Sequence, residues 1–210
     1  MSRVVAIFDV DQTLVQGNTE RFFFRYLVRQ RLISVNQALS FLGQLACRPQ
    51  GRFQDKSYMA GLEVEGVVRL AGRCYQKDIA PRVSPNGLAC ILEHQHKGHA
   101  VALLSGSLAM LLTPLQAELS ADWLIATELV RKNGKFTGEI AGLHPRGPNK
   151  LSLVQDLSHT YNFDLSQSYA YGDHIQDVHM FRSIGNPVVV NPSWRLRLQA
   201  RKHHWPIRYF

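Results

Sequence analysis

Apolar residues follow three successive patterns along this chain. Arg3 to Phe8 is a short run rich in β-branched residues, which is typical of a strand buried on both faces of a parallel sheet. From Glu20 to about Ile79 the apolar residues recur at intervals of three and four, which predicts three or four helices and no strand. The residues that carry this spacing are Phe23, Leu27, Leu39, Leu42, Leu45, Val64, Val67, Leu70, Ala71 and Cys74.

After Pro81 the pattern alternates between strands and helices. Strands are predicted at Ala100 to Leu104, Trp123 to Ala126, Ser168 to Tyr171 and Val188 to Val190. Helices are predicted after the capping residue Ser84, after Ser107, from Asn149, from about Ile175 and from near Pro192. Asn133-Gly134 separates two further runs and predicts a β-hairpin. The fold class is therefore α/β, with a parallel sheet wound by right-handed crossovers.

The division of the chain follows from these patterns. Residues 1–15 and 81–210 form the predicted α/β core, and residues 16–80 form a small all-helical insert after the first strand. A chain of 210 residues is long enough for one good core with a small accessory unit, and too short for two full domains.

Composition and charge limit the classes of function. A hydrophobic fraction of 45% with 19% charged residues is ordinary for a globular protein and excludes a disordered or fibrous one. Apolar runs are too short for a membrane span, and no signal peptide is recognised, so we expect a cytoplasmic protein. A net charge of +8 attracts anions, which suits phosphorylated substrates, nucleic acid and acidic membranes alike.

Cysteine and histidine spacing does not favour a zinc or disulfide framework. The three cysteines are odd in number and widely spaced, which indicates reduced residues; they are Cys47, Cys74 and Cys90. The three clustered histidines fall at the end of a predicted helix, where a solvated terminus is favoured over a metal site; they are His94, His96 and His99.

Four polar segments follow apolar runs or precede helices where a parallel sheet presents its carboxyl ends. Because the ends of adjacent strands meet in one crevice, we expect the four segments to form one site. They are Asp9-Val10-Asp11-Gln12-Thr13, Ser105-Gly106-Ser107, Lys150, and Gly172-Asp173-His174-Ile175-Gln176-Asp177.

This set of residues suits phosphoryl transfer. Asp9 is the candidate nucleophile, and Asp11 is the candidate general acid and base. The carboxylates of Asp9, Asp173 and Asp177 are oxygen ligands of the kind that Mg²⁺ prefers. The groups that would hold the phosphate oxygens are the Lys150 ammonium, the Ser105 hydroxyl and the backbone N–H groups of Asp11 and Gly106.

The same segments resemble the four signature motifs of the haloacid dehalogenase superfamily, in its phosphoserine-phosphatase-like branch. The motifs are DxDxT at Asp9 to Thr13, Ser-Gly at Ser105, the basic residue Lys150, and GDxxxD at Gly172 to Asp177. The resemblance implies a Rossmann-like doubly wound core, and an insert that forms a helical cap over the site.

The resemblance also implies roles for individual residues. Mg²⁺ would be bound by Asp9, the backbone carbonyl of Asp11, and Asp173, while Asp177 supports the metal waters and Lys150. Thr13 would support the first motif. In the cap, the glutamate of phosphoserine phosphatases corresponds to Asn18, with Glu20 two residues later, and their cap arginine falls on Asp55.

Substrate recognition is predicted from fewer signals. Glu20, Arg25 and His174 are candidate specificity residues, and the arginines of the first cap helix are candidates for recruiting an anionic substrate. The basic final helix is interpreted as a solvated outer face rather than a grip on nucleic acid or lipid.

The predicted function is Mg²⁺-dependent hydrolysis of a small phosphomonoester through an aspartyl-phosphate on Asp9. Amino-acid, amino-alcohol, sugar and lipid-derived phosphates all suit the core, and the protein is expected to act as a monomer or homodimer without obligate nucleic acid. Two alternatives stay open at this point. One is a phosphotransferase with the same intermediate, and the other is an anion- or nucleic-acid-binding protein with a vestigial site.

Overall fold

A computed structural model describes residues 3–33 and 56–210. In this part of the chain one sheet has the strand order β4-β3-β2-β1-β5-β6-β7, and every neighbouring pair is parallel except β3 and β4. The strands are β1 (Val5–Phe8), β2 (Ala100–Leu108), β3 (Trp123–Lys132), β4 (Lys135–Ala141), β5 (Tyr169–Gly172), β6 (Asn186–Val190) and β7 (Ile207–Arg208). The predicted α/β fold class is confirmed.

Helices cover both faces of the sheet, and the central strand β1 is apolar on both of its faces. Ala6 and Phe8 face one buried cluster, and Val5 and Ile7 face the other. Helices α1 to α4 contribute to the first cluster, and α5 to α7 to the second. The helices are α1 (Thr19–Arg29), α2 (Val64–Cys74), α3 (Pro85–His96), α4 (Ala109–Glu118), α5 (Pro148–Tyr161), α6 (Val178–Phe181) and α7 (Trp194–His203).

The helical insert is joined to the core by packing and by backbone hydrogen bonds. Helices α1 and α2 bury apolar residues in the same cluster as β1 and α4. After a short 3₁₀ helix at Ser57–Met59, the chain runs beside β4, where Gly61 N donates to Phe136 O at 2.9 Å. This end of the insert is therefore tied to the hairpin. Three residues of the predicted helical spacing lie outside the described residues, as do two other residues singled out from the sequence: Leu39, Leu42, Leu45, Cys47 and Asp55.

The hairpin between β3 and β4 is confirmed at the predicted dipeptide. Asn133 and Gly134 have φ angles of 51° and 74°, as a two-residue turn with both central residues left-handed requires. The adjoining strands β3 and β4 pair antiparallel, with Lys132 opposite Lys135. The hairpin adds the antiparallel edge of an otherwise parallel sheet.

The prediction that His94 lies at a solvated helix end is wrong. Its side chain is buried, with Nε2 2.8 Å from the Tyr171 hydroxyl and Nδ1 2.9 Å from His99 Nδ1. Burial is the main cause that lowers the pKa of His94 to about 4, so the ring is neutral at physiological pH. The helix turns this residue toward β5, which the spacing of histidines along the chain did not reveal.

Other differences lie at the ends of elements. The segment predicted as a helix from Ile175 begins as a 3₁₀ turn, Ile175–Asp177, before α6. The two-residue strand β7 is too short to produce a periodic pattern, and it was not predicted. No helix within the described ranges is long and apolar enough to cross a membrane.

Candidate active site

The site lies where three adjacent parallel strands end. Strand β1 lies between β2 and β5, so the chain winds away from β1 in both directions and leaves a crevice at their carboxyl ends. Asp9 directly follows β1, and its N–H donates to Tyr171 O at 2.9 Å. Asp173 directly follows β5. A pocket of about 210 Å³ opens at this point.

An irregularity in β2 brings the serine motif into this pocket. The register between β2 and β3 shifts between Leu104 and Leu108, within the stretch that contains Ser105, Gly106 and Ser107. All three line the pocket. Ser107 N–H donates to Ser105 Oγ at 3.2 Å, and this hydrogen bond stabilises the irregular stretch of β2.

Lys150 connects the nucleophile candidate with the last motif. It lies in the first turn of α5 and is buried. Its Nζ donates to Asp9 Oδ1 at 2.6 Å and to Asp177 Oδ1 at 2.7 Å. Sequence positions 141 residues apart are therefore in direct contact, as the motif pattern predicts.

The electrostatics of this cluster favour an added cation. Burial raises the pKa of Asp9, with Asp177 adding to the effect and Lys150 opposing it. Burial also raises the pKa of Asp173, and the nearby Asp9 and Asp177 carboxylates raise it further. For Lys150, burial alone would lower the pKa, but Asp177 and Asp9 outweigh it and raise the pKa. One ammonium thus faces several carboxylates.

These carboxylates fit a magnesium ion. Within residues 3–33 and 56–210, no three acidic, histidine or cysteine side chains are arranged to hold a metal by themselves. Mg²⁺ does not require such a cage, because it commonly uses one or two carboxylates and retains several waters. Asp9 and Asp173 supply two carboxylates whose pKa values are raised by burial and by neighbouring carboxylates, so a bound cation would stabilise their charged forms. The donor set therefore suits a hard divalent cation.

Hydrogen bonds hold the Asp11 side chain in the wall of the pocket. Its Oδ1 accepts from Thr19 N–H at 2.8 Å, and its Oδ2 accepts from Ser107 Oγ–H at 2.6 Å and from Asn18 Nδ2 at 3.2 Å. The left-handed Gln12, with a φ of 62°, turns the chain back directly after it. Asp11 is thereby fixed between the serine motif and the start of α1.

Two further predicted residues have supporting positions. Thr13 is buried, and its N–H donates to Val10 O at 3.3 Å in the turn after β1. Asp177 Oδ2 accepts from the N–H of His174 at 3.1 Å. His174 is exposed, lines the pocket, and caps the 3₁₀ turn through Nδ1.

Glu20 lines the pocket but is already paired. It is buried, and Lys56 Nζ donates to its Oε1 at 2.7 Å and to its Oε2 at 2.5 Å. Tyr58 Oη also donates to Oε1 at 2.9 Å. The carboxylate is thus neutralised by the chain itself. Lys56 is fully buried, and the sequence gives no signal for it, because a lone lysine within the insert forms no motif.

Breaking this ion pair is expected to destabilise the fold. Lys56→Met would leave the Glu20 carboxylate buried without its cation, at a cost of about 3–5 kcal/mol. The double variant Glu20→Gln/Lys56→Met should recover much of that loss, since neither partner is left charged. Urea unfolding measures both free energies, with the exposed Lys77→Met as the matched control. A change below about 1 kcal/mol for Lys56→Met would show that the pair does not stabilise the fold.

Arg25 does not reach the pocket. It lies on the exposed face of α1 and is not among the residues that line the pocket. The helical period explains this, because Phe23, Tyr26 and Leu27 take the buried face. Arg25 therefore does not line this pocket, and its role in specificity stays a prediction.

Sequence reasoning missed part of the pocket wall. Ser107, His144, Arg146 and Gln176 line it, and Arg146 Nε donates to Gln176 Oε1 at 2.9 Å. Ser107 and Gln176 lie inside two of the recognised motifs, so their positions could have suggested a role. His144 and Arg146 lie in the loop before α5, where nothing in the apolar pattern marks them.

Comparisons with known proteins agree with this fold and motif set. The sequence profile described as haloacid dehalogenase-like hydrolase matches residues 6–182. The chain is 30% identical, over its whole length and 79% of the relative, to the "Inhibition of morphological differentiation protein" of Streptomyces azureus. It is 26% identical, over its whole length and 76% of the relative, to a "Probable phosphatase" of Mycobacterium tuberculosis.

Solved structures show the same fold. A protein of unknown function from Bordetella pertussis Tohama I matches with a TM-score of 0.88 and 22% identity, over 99% of this chain and 98% of that one. A substrate-bound phosphoserine phosphatase matches with a TM-score of 0.69 and 20% identity, over 95% and 91% of the two chains. With the family profile spanning most of the sequence and the motifs meeting in one pocket, this chain belongs to the haloacid dehalogenase-like hydrolase family.

Proposed function

We propose that this protein is a Mg²⁺-dependent phosphatase that hydrolyses small phosphomonoesters through an aspartyl-phosphate on Asp9. The observation that carries the proposal is the placement of the Asp9 carboxylate in the pocket, hydrogen-bonded to Lys150 and beside the serine motif. Relatives that include a probable phosphatase support the reaction class. These relatives agree with the phosphatase that the sequence motifs predict.

In the first step, an Asp9 oxygen attacks phosphorus and the bond to the leaving oxygen breaks. Asp11, which enters this step as the carboxylic acid, gives that oxygen its proton and becomes a carboxylate, so the alcohol leaves neutral. Lys150, the Ser105 hydroxyl and the backbone N–H groups of Asp11 and Gly106 would hold the phosphoryl oxygens. Hydrogen bonds from Thr19 and Ser107 to its two oxygens fix the orientation of the Asp11 side chain.

In the second step, water attacks phosphorus of the aspartyl-phosphate. Asp11, now a carboxylate, takes the proton from that water, and the bond between phosphorus and the Asp9 oxygen breaks. Inorganic phosphate leaves, and Asp9 is a carboxylate again. Mg²⁺, held by Asp9, Asp173 and the Asp11 carbonyl, would screen the repulsion between carboxylate and phosphate. Asp177 would keep Lys150 in position through its 2.7 Å contact.

The test is phosphate release by the purified protein from an aryl phosphate and from a panel of phosphorylated metabolites, with Mg²⁺ and with EDTA. We expect release that requires Mg²⁺ and returns when Mg²⁺ replaces EDTA. Equal release in EDTA would contradict the metal requirement. Transfer of the phosphoryl group to an added alcohol in place of water would identify a phosphotransferase instead.

A further inference from the structure

His144 forms part of the pocket wall without taking part in the proposed chemistry. It is 8% exposed and lines the pocket beside the serine motif. A Cβ placed on Gly106 would lie 3.5 Å from Cε1 and 3.8 Å from Nε2 of the imidazole, so this edge of the ring lies against Gly106 of the serine motif. Nε2 has no hydrogen-bond partner in the part of the chain that the structure describes. Buried polar atoms are usually hydrogen-bonded, so an unpaired one beside a pocket is a candidate contact for a ligand.

The hydrogen bonds around Thr127 determine which ring nitrogen carries the proton. Thr127 Oγ1 donates to Gly106 O at 2.7 Å and lies 2.8 Å from His144 Nδ1. The hydroxyl has one hydrogen, and a carbonyl can only accept, so that hydrogen belongs to Gly106 O. Nδ1 must therefore carry the ring hydrogen and donate it to Thr127. In the neutral ring, Nε2 is then an acceptor with a lone pair.

The charge around the ring decides what can donate to that lone pair. Burial, followed by the positive charges of Lys56 and Arg146, lowers the pKa of His144 to about 4, so the ring stays neutral at physiological pH. A phosphate oxygen is an acceptor and cannot bind an unprotonated Nε2. A neutral hydroxyl can donate to this nitrogen without carrying a charge into a buried position. A ligand hydroxyl can reach the buried Nε2 only if the ring tilts toward the pocket. The ring is anchored by a hydrogen bond at one nitrogen, Nδ1, which permits this tilt.

We propose that His144 is a specificity-determining residue that accepts a hydrogen bond from a hydroxyl on the leaving alcohol, close to the ester oxygen. The preferred substrates would then be phosphomonoesters of polyols. This inference rests on the proposed phosphatase function, since it assigns the leaving group of that reaction. Glu20 agrees with it, because a carboxylate already bound by Lys56 and Tyr58 has little capacity left for a substrate amine.

The experiment compares three alkyl phosphates of equal length. They are 2-hydroxyethyl phosphate, n-propyl phosphate and 2-aminoethyl phosphate, with an aryl phosphate as the reference substrate. For the unmodified protein we expect kcat/KM for the hydroxyethyl ester to exceed that for the propyl ester by about tenfold, as one hydrogen bond to a neutral group allows. Inhibition constants against the aryl phosphate provide the same comparison if alkyl turnover is slow.

Two variants assign the preference to His144. His144→Asn retains an N–H for Thr127 but is too short to place an acceptor at the position of Nε2, and it should reduce the preference to about one while aryl phosphate turnover stays. Thr127→Val removes the group that orients the ring, and it should weaken the preference. His159→Asn, at an exposed position on α5, is the matched control and should change nothing.

Three results would overturn the assignment. They are equal kcat/KM or equal inhibition by all three alkyl esters, a hydroxyethyl preference that survives in both variants, and a best substrate that is the aminoethyl ester. Absence of Mg²⁺-dependent turnover of any substrate, including the aryl phosphate, would instead refute the proposed function.

Discussion

Replacing Asp9 with asparagine is expected to reduce phosphate release by at least about 10⁴-fold, since removal of a catalytic nucleophile typically leaves only residual catalysis. An amide has the shape of the carboxylate but is a far poorer nucleophile and carries no charge for a cation. The measurement is kcat/KM for an aryl phosphate with saturating Mg²⁺, beside the exposed control Asp156→Asn.

The Asp9→Asn protein should remain folded. Burial raises the pKa of Asp9, so its charged form is less favourable in the folded state than in the unfolded state at neutral pH. This penalty is present above the ordinary carboxyl pKa and disappears as pH falls. Asparagine removes it while Lys150 keeps its contact with Asp177. A folded Asp9→Asn protein that still releases phosphate would refute the aspartyl-phosphate mechanism.

An acid-quench experiment tests the intermediate directly. Substrate labelled in the phosphoryl group should leave label on the unmodified protein, in the peptide that contains Asp9. No label should appear on Asp9→Asn. Label found on a different residue would assign the nucleophile elsewhere and contradict the role of Asp9.

Replacing Asp11 with asparagine is expected to reduce kcat/KM for alkyl phosphates by about 10²–10⁴-fold, the usual contribution of general acid catalysis. An alkoxide is a poor leaving group and needs the proton, whereas a nitrophenolate leaves readily without one. The loss in kcat/KM for a nitrophenyl phosphate should therefore be much smaller. The value of kcat also depends on attack by water on the intermediate, where Asp11 takes the proton from that water. The loss in kcat should therefore be large for both kinds of ester.

This difference separates proton transfer from a merely structural role. Asp11 accepts hydrogen bonds from Thr19, Asn18 and Ser107, so its replacement also loosens the start of α1. Loosening alone would lower kcat/KM for alkyl and aryl esters alike. The control Ser107→Ala removes one of these contacts and keeps the acid, so it should reduce both classes of ester equally and only modestly. Equal losses with Asp11→Asn would contradict the general acid role.

Much of the fold follows from local patterns. The Arg3 to Phe8 run predicted β1 because a strand covered on both faces is apolar at every position. Asn133-Gly134 predicted the hairpin because the turn requires two left-handed residues. The family was recognised for the same kind of reason, since its motifs are contiguous segments at strand ends. The division into core and cap, and the roles of the site residues, stay predictions.

Where the predictions are wrong, the deciding contacts join distant parts of the chain. The end of a predicted helix indicates a solvated position for His94, yet packing of α3 against the sheet brings it to Tyr171. Arg25 is near Asp9 in sequence, yet the helical period turns it outward, and its role in specificity stays a prediction. Proximity along the chain indicates neither the direction nor the partner of a side chain.

Sequence by itself determined the α/β class, the family and the segments that carry the candidate chemistry, because each depends on residues within one strand or turn. Only the tertiary structure decided that Lys150 joins Asp9 to Asp177, that Lys56 neutralises Glu20, and that the His144 ring lies against Gly106 of the serine motif. These contacts depend on how the strands and the insert pack together. Because packing removes these polar and charged groups from water, they must find their partners within the protein.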